Sequence, residues 1–189
     1  SSLVVFPDNH DMSRIYTQLG EDDDLFRMAI AYVLTMRGIP QIYYGTEILM
    51  SNPGVEDHGI IRSDFPGGWK GDRKNGFTGE GLSESEAQAQ AFVKNLLNWR
   101  RDKTVIHTGQ LTHFVPEDGT YVYFRHDAND SVMVVLNKNA KETQLQLSRF
   151  DERLQGYQSA HDVISGKKSQ LGTSMALPAR SVMVLELGK

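Results

Sequence analysis

Four polar residues, Asp8-Asn9-His10-Asp11, follow directly on the apolar run Leu3 to Phe6 and its terminating Pro7, and Arg14 stands just beyond. The carboxylates supply hydrogen-bond acceptors, the imidazole supplies an N–H in either protonation state, and the guanidinium is a donor only. Such a set can hold a small polar ligand. Taken alone, the Asn and Asp are equally suited to bonding nearby backbone as caps. A second group, Phe65, Trp69, Asp72 and Arg73, lies in a glycine-rich stretch. Its aromatics offer flat apolar faces at small entropic cost, or pin the stretch to its neighbours. Asp72 and Arg73 offer polar contacts or, more simply, a surface pair with each other. Glu47, after a second apolar run, fits a buried hydrogen-bond anchor for neighbouring loops better than a residue that orients ligand-contacting loops, and is not read as catalytic.

The elements that must position these residues follow from periodicity. Leu3 to Phe6 has the β-branched, apolar character of a buried strand that delivers Asp8 to Asp11 to a loop. Asp22, Asp23 and Asp24 occupy a favourable first turn, and Leu25, Met28, Ala29, Tyr32, Val33 and Met36 recur at helical spacing up to Gly38. Ile39 to Tyr44 is a second compact strand, where core packing is the default for Tyr43 and Tyr44 and one ring could line a pocket, followed by the polar Gly45-Thr46-Glu47. Strand, helix, strand in this order implies a parallel pair. Residues 51 to 81 form a long loop rich in Gly, Asp, Asn and Pro. A second helix is predicted from Ser83 to Asp102, with Ser83 and Glu86 spaced as a capping box.

Beyond Lys103 the pattern changes to short strands: His113 to Val115, Tyr121 to Arg125, Val132 to Asn137, Gln144 to Leu147 and Ser181 to Leu187, separated by turn residues. These predict an antiparallel β-sandwich. The expected division is residues 1–103 and residues 104–189.

Composition sets the bounds. The 189 residues are 39% apolar and 23% charged, an ordinary globular balance. A formal charge of −4 with no basic stripe argues against nucleic acid as a partner. No apolar stretch approaches the ~20 residues that span a bilayer, so no membrane partner is expected. The chain opens on Ser1-Ser2-Leu3 with no basic leader and no Met, as a segment cut from a longer protein would. Cysteine is absent. His58, His107, His113, His126 and His161 lack metal-ligand spacing, and Asp22-Asp23-Asp24 lacks the spacing and glycine of a calcium loop. No bound metal or cofactor is expected in this chain.

Two segments carry a resemblance. Phe6-Pro7-Asp8-Asn9-His10-Asp11-Met12-Ser13-Arg14 resembles the seventh-strand segment of the α-amylase family of glycoside hydrolases, and Gly38-Ile39-Pro40-Gln41-Ile42-Tyr43-Tyr44-Gly45-Thr46-Glu47 resembles its eighth. Asp64-Phe65-Pro66-Gly67-Gly68-Trp69 and the form of the sandwich look most like the neopullulanase and cyclomaltodextrinase branch. The resemblance implies an α/β plus all-β chain: the last two strand-helix units of a (β/α)8 TIM barrel, followed by a C-terminal β-sandwich. In such barrels the reacting groups cluster at strand C-terminal ends.

The same resemblance implies roles. Asp11 becomes the third carboxylate of the family, gripping sugar hydroxyls in the transition state. His10, Asn9 and Arg14 become substrate-binding, with Arg14 alternatively holding the loop, and Trp69, Asp72 and Arg73 line the approach. The family's nucleophile and proton donor belong to strands upstream of Ser1, as do the calcium ligands that many members carry. The implied partner is an α-glucan: a maltodextrin, cyclodextrin or pullulan. The implied parent is a retaining hydrolase of α-1,4 and, as a second bond type, α-1,6 linkages, and the chain by itself is expected to be inactive. A transglycosylase of the same family and a non-catalytic sugar-binding relative are the alternatives. Localisation is left open among periplasmic, secreted and cytoplasmic.

Overall fold

The computed structural model describes residues 3–189. Two compact units are present: one holds the described residues up to Val33 with Gly38–Asn95, the other Leu34–Arg37 with Leu96–Lys189.

In the first unit, β1 (Val4–Val5) leads through α1 (Ile15–Gln18) and α2 (Asp23–Thr35) to β2 (Ile39–Pro40), which pairs with β1 in parallel, Val4 opposite Ile39 and Val5 opposite Pro40. The parallel order is the expected one; the strands are shorter than the apolar runs. Ile39 and Gln41 donate their N–H to Leu3 O and Val5 O at 2.9 Å and 2.8 Å. The next bond of such a ladder needs an N–H at Pro7, which has none, so pairing stops there. Gln41 donates the last bond, and Ile42 to Tyr44, expected as strand, lie outside the ladder.

Asp22 starts α2 by accepting the Asp24 and Leu25 N–H groups on its Oδ1, each at 3.0 Å. Phe26 and Ile30 then form its buried stripe within this unit. The helix stops at Thr35, short of Gly38. Gly38 has φ +131°, and a Cβ there would lie 2.8 Å from Val5 Cγ1, so only glycine lets the chain turn this close to β1. The loop after β2 contains α3 (His58–Ile61), capped by Asp57 Oδ1 accepting Gly59 N–H at 2.6 Å. Its four residues, one of them glycine, are too few to show a helical period.

Helix α4 (Glu84–Arg101) starts at the expected capping box: Ser83 N–H donates to Glu86 Oε2 at 2.8 Å, and Glu86 N–H to Ser83 Oγ at 3.2 Å. Ser85 Oγ on α4 donates to Asp23 Oδ2 on α2 at 2.6 Å, tying the two helices.

The second unit continues through α5 (Thr104–Thr108) into β3 (Gln110–His113), β4 (Thr120–His126), β5 (Ser131–Asn137), β6 (Thr143–Gln146), α6 (Asp151–Leu154), β7 (Ser159–Asp162), β8 (Lys168–Gln170), β9 (Ser174–Leu177) and β10 (Ser181–Gly188). Six strands form an antiparallel sheet in the order β3-β4-β5-β10-β7-β8, and β6 pairs with β9 in a second, two-stranded sheet. Val122, Phe124, Met133, Val135, Leu147, Phe150, Leu177 and Leu185 fill the core. On the other face of β4, the Tyr123 hydroxyl meets Thr35 Oγ1 at 2.6 Å, and buried Arg125 donates to Thr35 O at 2.8 Å and Gly109 O at 2.9 Å. The sequence reading finds β4, β5 and β10, places β3 and β6 within a few residues, and misses β7, β8 and β9. Every residue of β8 is exposed. The chain thus holds a partial TIM barrel, without closure, and a β-sandwich.

Candidate active site

The loop leaving β1 is built around Asp8, which is fully buried. Its Oδ2 accepts the Ile15 N–H at 2.9 Å and the Thr46 hydroxyl at 3.0 Å. Burial pushes its pKa up, against the Ile15 amide, the Thr46 hydroxyl and the charge of Arg14. Asp8 is therefore the internal post of the loop. Asn9 shapes the next turn, its Oδ1 accepting the Asp11 N–H at 2.8 Å.

Anchored on this base, His10 and Asp11 project outward, with side chains 60% and 63% exposed. His10 Nε2 lies 3.1 Å from Asp11 Oδ2. The other carboxylate oxygen accepts from Arg62 Nη2 at 3.0 Å. Arg62 also donates from Nε to His10 O at 3.0 Å and from Nη2 to His58 Nδ1 at 2.9 Å. Sequence reasoning did not single out Arg62 and took His58 as ordinary. Both reach the site only because the loop after β2 folds back beside the loop after β1.

Arg14, open between substrate contact and loop support, is 1% exposed. Its Nε donates to Ile61 O at 3.0 Å and its Nη1 to Tyr44 O. Its guanidinium lies 4.2 Å from the Tyr43 ring centroid and 4.9 Å from that of Tyr44, a cation–π stack. Its backbone N–H donates to Asn52 Oδ1 at 2.8 Å, and Asn52 Nδ2 donates onward to Val55 O at 2.7 Å. These contacts make Arg14 the pin between the two loops. Of Glu47, Oε2 is buried without a hydrogen-bond partner among the described residues.

Trp69, Asp72 and Arg73 belong to a self-braced turn. Asp72 does not pair with Arg73; its Oδ2 accepts the N–H groups of Gly67 at 2.6 Å and Trp69 at 3.1 Å. The Gly67 amide first, then that of Trp69, holds the Asp72 carboxyl below the usual range. Trp69 is 67% exposed, and Phe65 packs edge-on against Phe77 at 4.8 Å between centroids. Among the described residues no hydrogen bond or ion pair joins this turn to His10 or Asp11.

The site therefore presents an exposed carboxylate and imidazole, side by side, on a loop fixed from below by buried bonds. Such a pair suits acceptance and donation of hydrogen bonds to a ligand's hydroxyl groups.

Comparison with known proteins identifies the family of the chain. Residues 2–104 match the alpha amylase catalytic domain, and residues 111–186 match the cyclo-malto-dextrinase C-terminal domain. A cyclomaltodextrin glucanotransferase of Klebsiella oxytoca is 31% identical over 160 residues, covering 74% of this chain and 23% of that protein. A maltogenic alpha-amylase of Bacillus acidopullulyticus is 27% identical over 185 residues, covering 94% of this chain and 28% of that protein. The chain thus spans about a quarter of the length of these curated relatives. Among solved structures, the alpha-amylase of Geobacillus thermoleovorans, complexed with acarbose, superposes with a TM-score of 0.77 at 21% identity, covering 100% of this chain and 39% of that one. With its barrel segment and its C-terminal domain both matched, the chain belongs to the α-amylase family.

Proposed function

We propose that this chain is the C-terminal part of a retaining α-glucan hydrolase in which Asp11 stabilises the transition state. The observation that carries the reading is the Asp11 carboxylate itself: 63% exposed, braced on both oxygens from the protein side, and set on a loop anchored by buried Asp8. Retaining glycosidases use a nucleophile and an acid ~5 Å apart and gain further from hydrogen bonds to the sugar 2-OH that strengthen as the ring becomes cation-like. A fixed carboxylate acceptor meets that need, because it binds the distorted ring better than the relaxed one. His10 donates to the same sugar. The nucleophile and the proton donor are supplied by barrel strands outside this chain. Asn9 and Arg14 support the site from within the loops; Trp69 offers a face to a sugar ring, with Asp72 bracing it and Arg73 exposed beside it.

The substrate is a maltodextrin, cyclodextrin or pullulan, cleaved at α-1,4 and, in pullulan, α-1,6 bonds, as in the neopullulanase and cyclomaltodextrinase branch. The test is turnover of maltoheptaose, cyclodextrin and pullulan by a protein joining this chain to its upstream barrel, alongside its Asp11→Asn variant and the isolated 189-residue chain. The expected outcome is activity in the first and its loss in the other two. Measurable turnover by the clean isolated chain sinks the division of labour, and an inactive joined protein that still binds glucan moves the assignment to a sugar-binding relative.

Transglycosylation is the second reading, favoured by relatives named cyclomaltodextrin glucanotransferase. The two outcomes differ in whether water or a sugar hydroxyl intercepts the covalent intermediate. Products longer than the substrate identify transfer.

A further inference from the structure

We infer that Arg62 is a positioning residue for Asp11, fixing both the carboxylate and the peptide that carries it in the orientation a sugar meets. The inference deepens the glycosidase reading and rests on it. Arg62 closes α3 and reaches back across 51 residues of sequence to Asp11. Nη2 donates to Asp11 Oδ1 at 3.0 Å, and Nε donates to the His10 carbonyl at 3.0 Å. One planar fork thus grips a side chain and the main chain that precedes it, which the single point charge of a lysine does not reproduce.

The remaining Nη2 proton is directed at His58 Nδ1, 2.9 Å away. A guanidinium only donates, so Nδ1 of His58 accepts and the imidazole carries its proton on Nε2. The 3.4 Å approach of that same Nδ1 to His10 O is then a contact rather than a donated bond. His58 stands behind Arg62 as Arg62 stands behind Asp11.

Holding the loop does not require this arginine. Ile61 is buried at 3% exposure, its carbonyl already accepts Arg14 Nε, and Asp57 caps α3. The Arg62 and Asp11 side chains are 46% and 63% exposed, and ion pairs so placed contribute at most about 1 kcal/mol to folding. What the contact supplies is direction. With Oδ1 held by Arg62 and Oδ2 beside His10, the remaining lone-pair sites of Asp11 are left for ligand hydroxyls.

The experiment compares wild type, Arg62→Gln and Arg62→Lys in the protein that joins this chain to its upstream barrel. Expected for Arg62→Gln is a fall in kcat of about 10²-fold, the scale set by a misplacement of about 1 Å, with KM and the thermal midpoint little changed; Arg62→Lys recovers only part. Equal loss in kcat and kcat/KM marks an interaction made in the transition state. An unchanged kcat, or a loss carried wholly by KM, overturns the inference. A second readout does not depend on turnover: ring-nitrogen NMR of the same protein shows His58 as the Nε2–H tautomer in wild type and released from it in Arg62→Gln. A His58 that is unaltered by the substitution overturns the clamp even where activity falls. A wild type that turns over no α-glucan overturns the glycosidase reading and this inference together, whereas an active wild type with an equally active Arg62→Gln variant overturns this inference alone.

Discussion

The hydroxyl of Thr46 sits between the two carboxylate oxygens of Asp8, at 3.0 Å from one and 3.2 Å from the other, and joins residues 38 positions apart. It fastens the turn after the second barrel strand to the loop after the first. Asp8 is 0% exposed, so the pair is shielded from water. Thr46→Val keeps the shape and removes the donor. The expected cost is about 1–3 kcal/mol, the price of a buried acceptor left short of a partner, read as an earlier thermal midpoint. A midpoint unchanged from wild type would show that water replaces the hydroxyl.

The same carboxyl gives stability a pH dependence of unusual sign. Burial raises the folded pKa of Asp8 above the ordinary 3.8, so the folded state holds the proton more tightly than the unfolded state. By linkage, its contribution is fully present below that ordinary value and is lost as pH rises through the folded pKa. Asp8→Asn abolishes this dependence. Thermal midpoints of both proteins, measured upward from the ordinary value, should converge or cross as pH rises; parallel curves argue against a raised pKa.

Glu186 works in the opposite direction. Burial pushes its pKa up, but hydrogen bonds from Lys103, Trp99 and His161 outweigh burial and hold it below the ordinary 4.5. Trp99 Nε1 donates at 2.8 Å and His161 Nδ1 lies at 3.1 Å. Its stabilisation is present above that ordinary value and is lost as pH falls through the folded pKa. Glu186→Gln should destabilise the protein by about 1–3 kcal/mol at neutral pH, with the difference closing in acid. A constant difference down through acid pH contradicts the assignment.

Trp69 has a defined test. Its loop is braced by Asp72, so Trp69→Ala removes a face without unfolding the turn. If that face carries a sugar ring, KM for a long maltooligosaccharide rises by up to about tenfold, the equivalent of 0.5–1.5 kcal/mol for an aromatic contact, while kcat holds. Equal KM for wild type and variant assigns Trp69 to the loop alone.

Ending the chain after Asp102 removes the sandwich and, with it, the Tyr123 hydroxyl and the Arg125 guanidinium that meet Thr35, which is 0% exposed. Loss of solubility on expression is expected. A truncated protein that stays soluble and melts with the full chain would show that the sandwich is not a stabiliser.

What the sequence reveals follows from where the signal is local. The Ser83–Glu86 capping box is visible because both partners lie within one turn, and it forms as read. Strands β4, β5 and β10 show in their valines, whereas the Lys168-Ser169-Gln170 strand has no apolar pattern and exists only through its partner β7. At the site, Asn9-His10-Asp11 stands out as a polar cluster ending an apolar run. Arg62 and His58 do not, because their parts are set by chain reversal over 51 and 48 residues. Arg14 stays open between two roles in the sequence for a related reason: a charged residue is expected outside unless paired, and only the fold shows carbonyls and two tyrosine rings enclosing it.

The last strand, Ser181–Gly188, lies in the middle of the six-stranded sheet, between β5 and β7. Ribosomal synthesis delivers a chain from its N-terminus, so the place between β5 and β7 stays vacant until Ser181–Gly188 emerge. Until then β5 and β7 present unpaired edges, an invitation to intermolecular pairing. The sandwich therefore closes late: a chain interrupted before Ser181 holds the other strands of the sheet but nothing between β5 and β7.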